Sequence, residues 1–449
     1  MNKKSFPNSD TDLPLDDPEK TEFMRLFSRC FSQEAQRLDW HALESPSASE
    51  MIPYESLPDA SSRDLSLLDR VAVCKLNGGL GTSMGCTQTK STIQVAGKHS
   101  FLELILQQIR CLNEQAGSDI PLILMNSFYT DEETRQVIAN GSSGVRVEMV
   151  LQNKFPRIHS ETKQALDEGE FGKEAWYPPG HGDLFNCFYR QGMIDALLQE
   201  GRDILFVSNS DNLGAEMDPK ILACMLREDI PFLMEMTPKT KADVKGGTLY
   251  VQDGRLKLLE IARVPSEHIE EFQGQSKFKV FNTNNIWINL RHLKSRMEEG
   301  SFDLEVVKNY KEVGGVAVIQ LETALGSALD CFPNARGLVV SRERFLPVKT
   351  TSDLLLLHSD LFEFQRGAPR SANQDLPQIR LSESFTHLED FHERFPEPVC
   401  MKELVSLEIV GDVRFEGRCT FKGNVRLEST NLPLVIQENA ILENCSLIQ

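Results

Sequence analysis

The chain has no CxxC pair and no regular cysteine framework, although ten cysteines are scattered along it. That pattern disfavours a disulfide scaffold. Singles such as Cys74 and Cys187, set among apolar residues, read as small hydrophobes in a reduced, cytoplasmic protein. Positive charge is also short: 48 Lys and Arg against 66 Asp and Glu leave a net charge of −18. A broad nucleic-acid surface needs a basic face, so that class is excluded, whereas a small polyphosphate needs only a few lysines in one pocket. No apolar run approaches the ~20 residues that span a bilayer, so no membrane partner of that kind is expected. The stretch from Met1 to Lys20 is polar, acidic and proline-bearing. Without the apolar centre of a secretory signal, it reads as a flexible leader.

What is present fits a globular protein of two or three domains: 449 residues, 40% hydrophobic and 25% charged. Apolar residues at helical spacing around Phe23, Leu26, Phe27 and Phe31 predict a helix over 20–40. Segments 71–76, 121–125, 145–151 and 203–207 read as strands, and 101–111, 131–139 and 183–198 as helices between them. Such alternation implies right-handed crossovers and a largely parallel sheet covered on both faces. Segment 248–260 departs from it, because Asp253-Gly254 between two extended runs is a hairpin signal.

Residues 366–381, rich in Pro, Ser, Gln and Asn, read as a linker. Beyond it Ile409, Phe415, Phe421 and Leu427 fall six residues apart, as do Gly411, Gly417 and Gly423, and Val413, Cys419 and Val425. Three residue classes locked to one period fit the coils of a small β-helix, with an alternation in an antiparallel sheet as the competing reading. The chain therefore divides into 1–69 (leader and helical segment), 70–365 (α/β domain), 366–399 (linker) and 400–449 (β-helix).

The strongest local signal is Lys75-Leu-Asn-Gly-Gly-Leu-Gly-Thr-Ser-Met-Gly85, directly after a strand. Its glycines let the backbone approach phosphate closely and turn N–H groups toward it. Gly79, Gly81 and Gly85 give GxGxxxG rather than the dinucleotide GxGxxG, and Thr89, not glycine, precedes Lys90, so this is neither of the two commonest phosphate loops. Lys90 stands where it can meet a polyphosphate. Asp211 follows the 203–207 strand, and ligands of open α/β sheets gather beyond strand C-termini. A carboxylate there suits magnesium, although a helix cap by Asp211 or Asn212 would serve as a plain alternative. In Pro178-Pro-Gly-His-Gly-Asp183, Gly180 and Gly182 allow close backbone contact, and His181 can donate to a phosphate or hydroxyl. Gln152 can make paired donor–acceptor bonds to a base edge. Asn284 and Asn285 open a strand on this reading, and Lys349 follows Phe345-Leu-Pro-Val348, an extended segment restrained by Pro347.

The 75–86 loop with Lys90 closely resembles the nucleotide-binding signature of eukaryotic-type UTP–glucose-1-phosphate uridylyltransferases. The resemblance recurs in Gln152-Asn-Lys-Phe-Pro-Arg157, Trp176-Tyr-Pro-Pro-Gly-His-Gly-Asp183 and Ser208-Asn-Ser-Asp-Asn-Leu-Gly-Ala215. It recurs again in Lys245-Gly-Gly-Thr-Leu249, Phe278-Lys-Val-Phe-Asn-Thr-Asn-Asn285 and Arg344-Phe-Leu-Pro-Val-Lys-Thr-Thr-Ser-Asp353, in the family's order.

The resemblance implies an α/β fold, Rossmann-like and glycosyltransferase A-like, with a mixed, mainly parallel sheet plus a short C-terminal left-handed β-helix. It implies Mg2+-dependent transfer from UTP to glucose 1-phosphate, with Lys90 and Lys349 as the catalytic lysines and Asp211 as the metal ligand. Leu76, Asn77, Gly78, Gly79, Gln152 and Gly180 would meet the nucleotide. His181, Asn209, Asp211, Gly247, Glu260 and Asn284 would meet the sugar and phosphate. A homo-oligomer is compatible with the family. The chain departs from it at Gln88-Thr89, where many members have glycine and proline, which bears on the approach of Lys90. Its N-terminal region and β-helix are short, which bears on the family's higher oligomers. Pocket residues set sugar choice by a few kcal/mol, so galactose 1-phosphate and N-acetylglucosamine 1-phosphate stay open. So do a non-catalytic UDP-sugar sensor and an assembly protein acting through the β-helix.

Overall fold

A computed structural model of the chain describes residues 15–32, 38–59, 65–97, 99–141, 144–240, 243, 246–371, 373 and 375–449. Its central sheet has eight strands: β1 (Met51–Pro53), β2 (Val71–Asn77), β3 (Leu122–Asn126), β4 (Val147–Leu151), β5 (Ile204–Asn209), β6 (Phe232–Pro238), β7 (Val280–Asn289) and β8 (Arg336–Val339). They lie in the order β1-β8-β6-β7-β5-β2-β3-β4. Every neighbouring pair is parallel except those of β7, which runs antiparallel to β5 and β6. The mixed, mainly parallel α/β architecture expected from the sequence is therefore present.

The apolar runs of β2, β3 and β5 reflect burial on both faces. Val71, Val73, Leu122, Leu124, Ile204 and Phe206 point into one core, and Ala72, Cys74, Ile123, Met125, Leu205 and Val207 into the other. Helix α2 (Phe101–Ala116) starts at a capping box between Ser100 and Glu103 and stops at Gly117. Helix α3 (Asp131–Gly141) follows β3, and α4 (Pro219–Arg227) follows β5. From β2 the chain moves outward to β3 and β4, then returns to place β5 on the other side of β2. The carboxyl ends of β2 and β5 thus flank the point where strand order reverses, where open α/β sheets gather ligands.

Several expectations need correction. The N-terminal helix, α1, is Asp17–Ser32, with Phe23, Leu26 and Phe27 buried. Residues 33–37 and most of the expected leader lie outside the described residues. The single helix expected over 183–198 is two, Leu184–Arg190 and Met193–Gln199, broken where Gly192 takes φ 69°. Asn284 and Asn285 do not open a strand but sit inside β7, with Asn284 at φ 59° beside a register shift against β6.

The 366–381 segment is not a structureless linker. Arg366-Gly367 turns a hairpin from Phe362–Gln365 to Ala368–Ser371, and Gln378–Arg380 pairs in parallel with Cys400–Val410. Helix Leu388–Arg394 follows, and His387 just before it lies against Gly85, where a Cβ would stand 1.8 Å from its Nδ1. Polar composition suggested a tether, yet Ile379, Leu381 and Phe391 pack on the main core.

Beyond it, Cys400–Val410, Thr420–Glu428 and Ile441–Glu443 stack in parallel, as do Val413–Phe415 and Leu434–Ile436. The antiparallel alternative for the six-residue repeat is thereby removed. Ile409, Phe415, Phe421, Leu427, Val413, Cys419 and Val425 are all buried and continuous with the core of the sheet.

One buried ion pair locks the segment that carries Lys349 to the sheet. Glu235 of β6, fully buried, accepts from Arg344 at 2.6 and 2.8 Å, from Trp287 Nε1 at 2.8 Å and from Asn285 Nδ2 at 3.1 Å. Glu235→Ala would leave the Arg344 guanidinium buried with only Asp218, 3.8 Å away, as a counter-charge. It should destabilise the fold by about 3–5 kcal/mol in urea unfolding, the cost of breaking a buried pair from one side. A loss below about 1 kcal/mol would show that Arg344 escapes to solvent.

Candidate active site

The loop after β2 and the loop after β5 are stitched together at the reversal point. Ser210 N–H donates to Leu76 O at 3.2 Å, and Lys90 N–H closes the glycine loop on Gly79 O at 3.2 Å. Ser127, at the end of β3, donates its hydroxyl to Gly78 O at 2.8 Å. Gln152 Nε2 reaches Gly180 O at 3.3 Å, and its Oε1 lies 3.0 Å from where a Gly78 Cβ would stand. The carboxyl edge of the sheet thus gathers Leu76, Gly78, Gly79, Gln152 and Gly180. Gly180 has φ 85°, and a Cβ there would be 2.5 Å from Thr323 O, so no other residue fits the turn. Asn77 differs from expectation in one respect. Its side chain is buried and donates to Asn126 Oδ1 at 2.8 Å and Thr134 Oγ1 at 2.9 Å, which makes it a brace of the loop.

Lys75 also turns inward. Its buried ammonium donates to Ser208 Oγ at 2.7 Å and Ala215 O at 2.8 Å, and burial lowers its pKa to about 7. It ties β2 to the loop after β5 from behind the site.

Asp211 stands at the centre. Lys90 Nζ and Lys349 Nζ both donate to its Oδ2, at 2.6 and 2.7 Å. Burial alone would raise its carboxyl, but the charges of Lys349 and Lys90 outweigh that and hold it below the usual carboxylate range. Its other oxygen, Oδ1, is buried and has no hydrogen-bond partner among the described residues.

That orphaned oxygen is the observation against which a metal can be tested. Among the described residues no group of three or more His, Cys, Asp and Glu could hold an ion. Magnesium, however, commonly takes one or two carboxylates and completes its shell with phosphate and water. Asp211 Oδ1 therefore fits an ion shared with a bound polyphosphate.

Lys349 is placed by contacts rather than by a regular element. Asn212 Oδ1 accepts from Leu346 N–H at 2.9 Å, and Asp211 O accepts from Val348 N–H at 3.2 Å. Asp353 Oδ2 accepts from Lys349 N–H at 2.9 Å within the capping box that starts helix Thr351–Leu357. Ser83 of the glycine loop donates to Lys349 O at 2.6 Å, so the two lysine-bearing segments touch.

Beside this cluster lies a cleft of about 180 Å³, lined by His181, Asn209, Gly247, Glu260, Asn284 and Lys349 among the expected residues. Asn284 Nδ2 donates to Asn209 Oδ1 at 3.0 Å. His181 Nδ1 accepts from Leu325 N–H at 2.9 Å, which leaves Nε2 to carry the ring proton. Burial, then the Lys349 charge, lowers the imidazole pKa to about 4, so it is a neutral donor. Glu260 faces Gly247 across a hairpin whose turn is Asp253-Gly254, and burial raises its carboxyl above the usual range.

The apolar walls of the cleft, Leu258, Phe281 and Phe345, carried no sequence signal, because a core position has the same residue type. Asp353 did carry one: Thr350-Thr-Ser-Asp353 is a capping-box pattern.

The sequence profile described as UTP–glucose-1-phosphate uridylyltransferase matches residues 20–422. The chain is 44% identical over 440 residues to the UTP–glucose-1-phosphate uridylyltransferase of Musa acuminata, covering 96% of this chain and 94% of that one. It is 44% identical over 434 residues to that of Saccharomyces cerevisiae, covering 94% and 87%. A variant UDP-glucose pyrophosphorylase from Leishmania major, solved in complex with UDP-glucose, superposes with a TM-score of 0.87 at 30% identity, over 97% of both chains.

Proposed function

The chain belongs to the UTP–glucose-1-phosphate uridylyltransferase family, and on that premise we propose that it forms UDP-glucose and pyrophosphate from UTP and glucose 1-phosphate. It is a nucleotidyltransferase. A phosphate oxygen of glucose 1-phosphate attacks the α-phosphorus of UTP in line, and the bond to pyrophosphate breaks as the new one forms. No covalent intermediate with the protein is needed, and catalysis is positioning plus neutralisation of charge.

The observation that carries this reading is the convergence of Lys90 and Lys349 on one oxygen of Asp211, between the glycine loop and the polar cleft. On it, Gly78 and Gly79 take the phosphates, and Gln152 with Gly180 takes the uracil edge. Lys90 and Lys349 neutralise charge gathering on the triphosphate. The neutral His181 donates from Nε2 to the sugar phosphate, while Glu260, Asn284 and the backbone at Gly247 orient the hexose hydroxyls. Asp211 Oδ1 would hold Mg2+, which neutralises phosphate oxygens when bound.

The remaining readings are of the same kind. Leu407 pairs with Val425 and Thr420 with Ile441, offsets of 18 and 21 residues, which supports a short left-handed β-helix of about three hexads per coil over 400–449. The catalytic domain we place at 70–365, with 366–399 as a docked connection. No helix of the described residues is long and apolar enough to cross a membrane. We take the cytoplasm as its compartment, where ten single cysteines stay reduced.

The test is pyrophosphate release by the purified chain with Mg2+ and UTP, comparing glucose 1-phosphate with its galactose and N-acetylglucosamine counterparts. Strong preference for glucose 1-phosphate is expected. Preference for another sugar would overturn the substrate, and UTP binding without release from any of them would favour the sensor.

A further inference from the structure

The departure at Gln88-Thr89 has a structural counterpart. Thr89 is fully buried, so its backbone N–H has no water to turn to. That N–H donates to Glu133 Oε2 at 2.7 Å, and the Thr92 hydroxyl donates to Glu133 Oε1 at 2.8 Å. One carboxylate therefore bridges both ends of the short turn Lys90–Thr92, where the Thr92 Oγ1 also lies 2.8 Å from Thr89 O. The next residue on α3, Thr134, accepts from Asn77 at the other end of the glycine loop. The first turn of α3 thus grips the loop where it leaves β2 and where it presents Lys90.

We infer that Glu133 is a positioning residue for Lys90: its carboxylate fixes the 89–92 turn so that the ammonium meets Asp211 and the triphosphate. The inference rests on the role proposed for Lys90. A proline at 89 would hold the backbone through its ring. Threonine leaves that torsion free and adds an N–H, and Glu133 restrains the one and satisfies the other. Thr89 already has φ −59°, which a proline ring accepts. The carboxyl is held below its ordinary range because the donors from Thr89 and Thr92 outweigh its burial, so it acts as an acceptor at neutral pH.

The experiment measures pyrophosphate release and thermal unfolding for Glu133→Ala, Glu133→Gln, Thr89→Pro, the Thr89→Pro/Glu133→Ala double variant and Lys90→Ala, all in the full chain. Glu133→Ala should lose up to about a hundredfold in kcat, the scale of a displacement near 1 Å at a reacting site. Glu133→Gln keeps one acceptor oxygen and should recover part of that loss. In the Thr89→Pro background the N–H is gone and the ring sets φ, so Glu133→Ala should cost at least about tenfold less than in the parent. Equal losses in the two backgrounds would put the effect of Glu133 outside this turn and overturn the inference. So would near-parental turnover of Glu133→Ala while Lys90→Ala is inactive, which leaves the role of Lys90 standing. If Lys90→Ala itself kept its turnover, the proposed role of Lys90 would fail first and the positioning role with it.

Discussion

Lys349→Ala is expected to fold as the parent does and to lose about 10²–10³-fold in kcat, the effect of removing one donor aimed at developing charge. The two halves of that expectation come from different observations. The side chain is 56% exposed, so its ion pair with Asp211 is screened, and its removal should cost no more than about 1 kcal/mol of stability. The backbone around it is held by Asn212, Asp353 and Ser83, none of which depends on the ammonium. The chain thus invests a capping box and two loop contacts in placing a side chain that stabilises little. That investment makes sense if the ammonium acts on a substrate. A cation needed only as charge gathers on the triphosphate lowers kcat when lost and leaves KM little changed. Initial rates of pyrophosphate release at saturating UTP and glucose 1-phosphate, with a melting curve alongside, decide the matter. Near-parental turnover would remove Lys349 from the mechanism, and a large drop in Tm would make its role structural.

How far the sequence reached follows from where each signal was stored. Strands β2, β3 and β5 were legible because a sheet covered on both faces writes itself as an unbroken apolar run. Strand β7 was legible only in part. Its Asn282-Thr283-Asn284-Asn285 stretch is polar because it faces the cleft and the Glu235 network, so the strand reads as opening at Asn284 although it begins at Val280. The three-residue strand Gln378–Arg380 is held by a partner more than twenty positions away, which no window over 366–381 contains. The site divides in the same manner. Lys90, Asp211, His181 and Lys349 were recognisable by chemistry and by the blocks around them, and the fold brings all four to one edge of the sheet. Asn212, Ser83 and Glu133 do their work through contacts made at distances of 134, 266 and 44 positions. Asn212 and Ser83 stand inside recognised blocks, yet nothing in those blocks names the partners they reach, and Glu133 lies in no block at all.

Asp211→Asn is the second substitution with a large expected effect, because each oxygen of this carboxylate has a separate task. Oδ2 binds both ammoniums and Oδ1 is the buried orphan. The amide keeps the shape but removes the charge, and one of its two positions becomes a donor. Turnover should fall by about 10²–10³-fold. The Mg2+ concentration for half-maximal rate should rise at least about tenfold, since even indirect partners of a metal ligand cost that much. A readout independent of turnover comes from stability. The folded carboxyl is held below its ordinary range, so its charge contributes stability above the unfolded pKa of about 3.9, lost as pH falls through the folded value. The deficit of Asp211→Asn in urea unfolding should therefore be complete at neutral pH, about 2–3 kcal/mol, and shrink once pH drops below about 4. It should stay under the usual cost of a broken buried pair, because Lys349 can turn to solvent while Lys90, 13% exposed, cannot. An Mg2+ titration matching the parent would sink the ligand assignment. A deficit that ignored pH would mean that Asp211 holds its two lysines by shape rather than by charge.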